Sequence, residues 1–487
     1  MIGAHSVVMV TQFFPRGGSA QVVRSLSRGL TSRGWTVGIV SGSAGQPQNL
    51  MNARAFYSGQ DVYAFSYARA LKAHARGEDP YLIDTPMQPS FEYEATDPDR
   101  FLGRIPPDAG DLNRDSWIRF FRAAGIATPK VFHLHHLGPF HEAVAALWPT
   151  TQRVVHLHGT ELAFLESAAG ADSPARYEPY SRYWARRLTA HATHADCVIV
   201  VSEADRRRAI RLLGLDESRV KCVPNGVDVR YFQPRRITRS ERASLLRYWL
   251  VDNPRGWHCK GLPGTIRYSG HDLRPLLRTG VVTLMFVGRF TAAKRLRLLV
   301  TAYHRAQPFF NTPACLLVWG GYPGEPDTGI HPASLATELG IENVYFVGWR
   351  GHDDLRHGLN ITDALVTPSV GDAFPQTALE AMATGVPVVG AQSGGFSEMI
   401  NRSPGRPDGW LVPPDDIEAL AETLVRIVNN RTERRVRARS AYQTAQEQFS
   451  WEQRLPLLEA AYRAAESDRV IDQGEASDGW QSRAAEG

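Results

Sequence analysis

The stretch DALVTPSVGDAFPQTALEAMATGVPVVGA, Asp363–Ala391, decides the fold. An apolar strand ends near Pro368 and a loop carries Gly371 and Asp372. A helix is predicted to start near Gln376 and to end at Gly385, and Pro387 precedes the next apolar strand. Continuous apolar strands separated by helices indicate a parallel sheet covered on both faces. The same rhythm extends back to Val282 through VTLMFV, ACLLVW and VYFVG. It also occurs near the N-terminus. There SVVMVTQFF leads through a Gly-Gly loop to a helix near Ala20–Arg33. Strands follow at Trp35–Val40, Val131–His135, Arg153–His158, Asp196–Val201 and Arg219–Val223, with a helix at Glu203–Leu213. Two such units imply an α/β fold of two Rossmann-like parallel-sheet domains facing across a cleft. Ligands are then expected beyond the carboxyl ends of the strands.

The expected boundaries follow from breaks in this rhythm. Residues 1–225 form an N-terminal domain, with an inserted loop region at about 46–130 that is rich in Pro, Asp and aromatic residues. Residues 226–280 form a connector and 281–445 the C-terminal domain. A helix over 446–466 is expected to pack back on the N-terminal domain, and 467–487 reads as a disordered tail. Hydrophobic residues at 43% and charged residues at 22% give a globular composition. A net charge of +5 on 487 residues does not point to nucleic acid. No apolar run approaches the ~20 residues of a membrane span, and the start lacks signal-peptide features. A cytoplasmic protein with reduced, mostly buried cysteines is expected; Cys197, Cys222, Cys259 and Cys315 form no CxxC pair. Arg206–Arg208 with Arg211, and Arg235, Arg236, Arg239 and Arg242, form either solvated helix faces or a weak attraction to acidic membrane lipid or to an anionic substrate.

Two segments carry chemistry. In Gly288-Arg289-Phe290-Thr291-Ala292-Ala293-Lys294, Arg289 stands at a strand's carboxyl end and Lys294 near the next helix start. An Arg fork and a Lys point charge there stabilise a leaving diphosphate without a metal. The alternative is two cations on a solvated loop. In the opening stretch, Asp372 lies at a loop tip and Glu380 just over one turn into a helix. The N–H groups of Gln376, Thr377 and Ala378 are unpaired at that helix start and suit a phosphate. Read without a ligand, the two acids are a helix cap and a surface Glu.

Together these motifs resemble the family 4 glycosyltransferases. The resemblance rests on an acid, seven residues, then Glu380 followed by AMATGVPVV; on GRFTAAK, GGFSE and GWLVPPDDIEALAETL; and upstream on VVHLHGTE, ADCVIVVSEADRR and VPNGVDVRYF. It implies a GT-B architecture and sugar transfer with retention from a nucleotide-sugar, UDP-sugar first, to an unidentified acceptor. It implies that Arg289 and Lys294 hold the donor diphosphate, that Glu380 binds the ribose and that Asp372 contacts the transferred sugar. The family more often has Glu at position 372. Trp349 and Arg350 fall where the family packs the nucleobase, and Phe374 belongs to the same donor loop. No cofactor and no metal are expected.

In the front domain, Gly17 and Gly18 let a backbone approach a ligand closely, although the loop is no GxGxxG fingerprint. The resemblance places them beside the donor phosphates and the acceptor; an ordinary tight turn is the alternative. His158 and Glu161 are expected at a strand's carboxyl end facing the cleft, and the resemblance implies that His158 contacts the donor sugar. His133, His135 and His136 are buried or acceptor-side, and nothing resembling HExxH supports zinc at the histidines. Asp97-Pro98-Asp99 resembles an acid-x-acid metal motif but lies in a Pro-rich loop. The rival readings are a nucleotide-sugar epimerase or hydrolase on the same architecture, or a non-catalytic sugar-nucleotide-binding subunit.

Overall fold

The structure is a computed structural model that describes residues 5–466 apart from 16, 47–50, 94–97, 172, 259–260 and 322–328. The chain divides into two compact units: Met1–Asn225 with Trp451–Gly487, and Gly226–Ser450.

The first unit is built on seven parallel strands: β1 (Ser6–Thr11), β2 (Thr36–Ser43), β3 (Asp61–Ser66), β4 (Val131–His135), β5 (Gln152–His156), β6 (Cys197–Val200) and β7 (Val220–Cys222). Their spatial order is β3-β2-β1-β4-β5-β6-β7. Both faces are buried. Val8 and Val10 join a cluster with Phe132, Trp117 and Leu162, whereas Val7 and Met9 pack with Val22, Leu26 and Leu458. This explains the unbroken apolar reading of β1. A helix over residues 451–466 covers the second face. Its Glu459 accepts from Arg33 at 2.7 Å and from the Trp35 indole at 3.0 Å, and its Tyr462 carbonyl accepts from Gln152 at 2.7 Å.

The second unit holds six parallel strands: β8 (Val282–Gly288), β9 (Ala314–Gly320), β10 (Val344–Gly348), β11 (Ala364–Thr367), β12 (Val388–Ala391) and β13 (Gly409–Val412). Their order is β10-β9-β8-β11-β12-β13. In both sheets the order reverses beside the first strand, between β1 and β4 and between β8 and β11. Crevices at such reversals, at the carboxyl ends of strands, are the usual ligand positions.

Two expectations need correction. The segment read as an inserted loop region contributes β3 to the sheet and an 18-residue helix, Pro107–Ala124. Trp117 of that helix is fully buried and stacks on Phe65 of β3 at 4.1 Å. The connector is part of the second unit and contains a helix at Arg239–Arg247 running into a π-helical turn at Tyr248–Asp252. Several arginines of the two runs also make contacts within the protein. Arg208 pairs with Glu166 and Asp205, Arg211 with Glu166 and Arg206 with Glu217, while Arg242 donates to the Ile361 and Leu276 carbonyls. The 467–487 tail and Cys259 lie outside the described residues; Cys197, Cys222 and Cys315 are free thiols. Among the described residues no helix is long and apolar enough to cross a membrane.

Candidate functional site

At the reversal point of the second sheet, β8 ends at Gly288 and the chain passes through Arg289 into a short 3-10 turn, Ala292–Lys294. On the other side β11 ends at Thr367 and feeds the Asp372 loop. The two loops are tied together. Val370 donates its N–H to the Ala293 carbonyl at 3.0 Å, and Lys294 Nζ lies 2.6 Å from Asp372 Oδ1. The Asp372 loop rests on the Gly394-Gly395 turn, where the Gly395 N–H donates to the Asp372 carbonyl at 2.8 Å. Gly394 has φ +53°, and a Cβ there would strike that same carbonyl oxygen. Glycine at 394 is therefore a steric requirement of the acid's placement.

The helix Gln376–Ala383 starts after Pro375 without a side-chain cap, which leaves the first-turn N–H groups of Gln376, Thr377 and Ala378 available for an anion. Glu380 faces inward from this helix and is 3% exposed. Its Oε1 lies 3.0 Å from His352 Nε2, and its Oε2 is buried without a partner. Asp372 Oδ2 is likewise buried without a partner. Two orphaned buried carboxylate oxygens, one on the loop and one on the helix that follows it, are acceptors that hydroxyl donors could satisfy.

The residues expected at the nucleobase separate. Trp349 is 38% exposed just beyond β10. Arg350, in contrast, has a fully buried side chain whose Nη2 donates to the Trp249 and Asn253 carbonyls at 2.7 and 2.5 Å. Burial, and then the neighbouring Arg255, push its pKa down to about 10. Arg350 thus anchors the π-helical turn and is not placed to stack on a base. Phe374 is also buried, edge-on to Phe449 at 5.7 Å, and supports the loop from within.

In the first unit, Gly17 caps the helix Gly18–Ser32 in extended conformation, and a Cβ at Gly17 would meet nothing within 4 Å. Neither backbone strain nor packing demands glycine there. At the β4 and β5 ends lies a stack of imidazoles. His133 Nε2 meets His156 Nδ1 at 3.1 Å, and His135 Nδ1 meets His158 Nε2 at 3.0 Å. The Tyr462 hydroxyl closes the first pair on His133 Nδ1 at 2.7 Å. Burial holds all four histidines neutral, His133 down to about 3. Ring nitrogens of His133, His135 and His156 lie within 4.8 Å of one another. Their planes are inclined by only 1° to 27°, and both nitrogens of His133 are already bonded. In-plane lone pairs of near-parallel rings do not converge on one point, so the stack is a poor metal cage.

Glu161 departs from expectation. It is fully buried, bonded to the His136 ring, and accepts the His158 backbone N–H at 3.3 Å. It therefore holds the loop and does not itself face a ligand. His136 adopts φ +68°, a left-handed conformation that costs a branched or bulky residue about 1–3 kcal/mol. The sequence held no signal for this conformation or for His352. Asp97 lies outside the described residues; Asp99 is buried and accepts from the Gln88 amide at 3.4 Å.

Comparison with known proteins gives the same picture. The model for glycosyl transferases group 1 matches residues 281–430, and that for Glycosyltransferase Family 4 matches 57–231. D-inositol 3-phosphate glycosyltransferase of Saccharomonospora viridis is 30% identical over 305 residues, 61% of each chain. That of Kineococcus radiotolerans is 28% identical over 67% of this chain and 70% of its own. The chain thus spans about three fifths of the first relative's length. Sucrose-phosphate synthase from Thermosynechococcus elongatus has the same fold, with a TM-score of 0.62 at 19% identity, over 97% of this chain and all of that one. Anabaena Alr3699/HepE, solved in complex with UDP and glucose, gives 0.60 at 18% identity, over 95% and 98%. In agreement with the two sheets, residues 57–231 thus match Glycosyltransferase Family 4 and residues 281–430 the glycosyl transferases group 1.

Proposed function

We propose that the protein is a glycosyltransferase that moves a sugar, with retention at the anomeric carbon and without a bound metal, from a nucleoside-diphosphate sugar to an acceptor hydroxyl. The observation that carries this reading is the constellation at the β8–β11 reversal. It comprises Lys294, an uncapped helix start at Gln376, and two acids, Asp372 and Glu380, each with an orphaned oxygen. Cations and free N–H groups suit a diphosphate, and the orphaned oxygens suit sugar and ribose hydroxyls. UDP is the first nucleotide to test, because the similar Anabaena protein was solved with UDP and glucose.

In this reading Arg289, Lys294 and the N–H groups of Gln376, Thr377 and Ala378 bind the diphosphate. Glu380 accepts from the ribose, Asp372 from the transferred sugar, and Trp349 offers an exposed ring to the base. On the first unit, His158 and the Gly17-Gly18 turn serve the substrate. The anomeric C–O bond to phosphate breaks as the bond to the acceptor oxygen forms on the same face, and the acceptor proton passes to the departing phosphate oxygen. Charge stabilisation and positioning supply the rate. The protein would act as a cytoplasmic enzyme.

A mass-spectrometric screen of nucleotide-sugars, each with and without acceptors, tests this. Polyol phosphates enter first, since the relatives are named for D-inositol 3-phosphate. Glycosylated product with release of nucleoside diphosphate is expected. An epimerised nucleotide-sugar, or hydrolysis that no acceptor accelerates, would overturn it.

A further inference from the structure

We propose that His135 is a positioning residue that fixes the tautomer of His158, so that His158 presents its Nδ1–H as a hydrogen-bond donor to the substrate. The inference rests on the substrate-facing role given to His158 above. His135 ends β4 and His158 lies two residues past the end of β5. Their rings are inclined by 17° and meet through His135 Nδ1 and His158 Nε2 at 3.0 Å. Each ring is neutral and carries one proton, so one nitrogen of this pair donates and the other accepts.

The buried side of the pair decides which. His135 is fully buried, and its Nε2 has no hydrogen-bond partner. Were His158 the donor, His135 Nδ1 would be bare and the His135 proton would sit on Nε2, an orphaned N–H in the core. Orphaned buried N–H groups are rarer in native proteins than under-satisfied acceptors. The His135 proton therefore sits on Nδ1 and is donated to His158 Nε2. The only place left for the His158 proton is Nδ1.

That atom is available. His158 is half-buried, and its two hydrogen bonds use Nε2 and the backbone N–H. Among the described residues nothing bonds Nδ1. The ring is also held in place. His156 stacks on it at 4.6 Å with 13° between planes, His136 lies against it at 4.6 Å, and Glu161 holds its backbone N–H at 3.3 Å. Second pairs of this kind set which ring nitrogen of a working histidine carries the proton. An N–H pointed outward suits a sugar hydroxyl or phosphate oxygen and not a substrate proton that needs a base.

Imidazole 15N NMR on the histidine-labelled full chain, with His158→Gln for assignment, reads the tautomer without reference to activity. A pyrrole-type shift at His158 Nδ1 and a pyridine-type shift at Nε2 are expected. His135→Asn keeps an N–H donor bonded to Cγ, as Nδ1 is, and should preserve this pattern. His135→Leu should convert it to a tautomer mixture. In transfer assays His135→Leu should lower kcat about tenfold, the scale of one lost hydrogen bond, with nucleotide affinity unchanged, and His135→Asn should restore most of it. A His158 ring protonated on Nε2 in the unaltered protein overturns the proposal whatever the activity. The expected tautomer together with normal turnover in His158→Ala overturns the substrate contact instead, and with it the role assigned to His158.

Discussion

Lys294 Nζ stands 2.6 Å from Asp372 Oδ1, so the cation and the acid assigned to opposite ends of the donor bond are joined to each other. Both side chains are about a quarter exposed or less, at 25% and 21%. A partly exposed pair of this kind contributes at most ~1 kcal/mol to stability. In the proposed reading, breaking it to contact phosphate and sugar therefore costs little.

Substitution at the cations should separate activity from stability. Arg289→Ala and Lys294→Ala should each remove roughly 2–4 kcal/mol of transition-state stabilisation, the range for losing one preorganised donor. Their melting temperatures should stay close to that of the unaltered chain. Steady-state kcat/KM beside thermal melts checks this, and near-normal turnover in both variants would remove the phosphate-clamp assignment.

The glycines should divide by mechanism. Gly394→Ala puts a methyl group against the Asp372 carbonyl at a φ of +53°, so it should both destabilise the protein, by about 1–3 kcal/mol, and impair turnover. Gly17→Ala meets open space and should leave the melt unchanged. If a ligand approaches that backbone, Gly17→Ala should still raise the KM of donor or acceptor; an unchanged KM for both would make Gly17-Gly18 an ordinary turn.

The buried histidines predict acid sensitivity. His133, His135, His156 and His158 have folded-state pKa values pushed below 6.5, chiefly by burial, with His133 at about 3. In the unfolded chain each takes up a proton near 6.5. The unfolded state therefore binds more protons as pH falls, and stability present above ~6.5 is lost progressively below it, by about 1.4 kcal/mol per pH unit for each fully shifted histidine. Urea titrations between pH 8 and pH 5 should show a plateau and then a fall. A flat profile to pH 5 would mean that the stack protonates freely in the native state.

Metal dependence offers another check. If Arg289 and Lys294 hold the diphosphate as proposed, EDTA should leave transfer largely intact. Loss of activity restored by manganese or magnesium would overturn the metal-free reading.

Where local pattern and tertiary environment agreed, the sequence was readable. The strand Val131–His135, the helix Glu203–Leu213 and the helix start at Gln376 fall where apolar runs and turn residues predict. The helix Pro107–Ala124 was masked by Gly110 and six charged residues, yet Pro107 at its first turn is a start signal, and Gly110 is glycine because Trp184 packs against it. Strand β3 is a half-buried edge strand whose apolar run, Val62–Phe65, is only four residues long. At the site, residue types were legible and partners were not. Lys294 and Asp372 are 78 residues apart, and Arg350 is withdrawn from the base position by carbonyls of a π-helical turn about 100 residues upstream.

The central claim, that the β8–β11 reversal of the second unit is a nucleotide-sugar donor site, is tested most directly by calorimetric titration of nucleoside diphosphates, UDP first. The protein as it stands is titrated beside Glu380→Gln and Asp372→Ala. Ribose hydroxyls change little during reaction, so loss of the Glu380 carboxylate should weaken nucleotide binding by about tenfold, the scale of a hydrogen bond to a charged group. Asp372 serves the sugar, whose charge and shape change at the transition state, so Asp372→Ala should bind nucleotide nearly normally while turnover collapses. Failure of every nucleoside diphosphate to bind the unaltered protein would contradict the account. So would abolished binding in Asp372→Ala beside unchanged binding in Glu380→Gln.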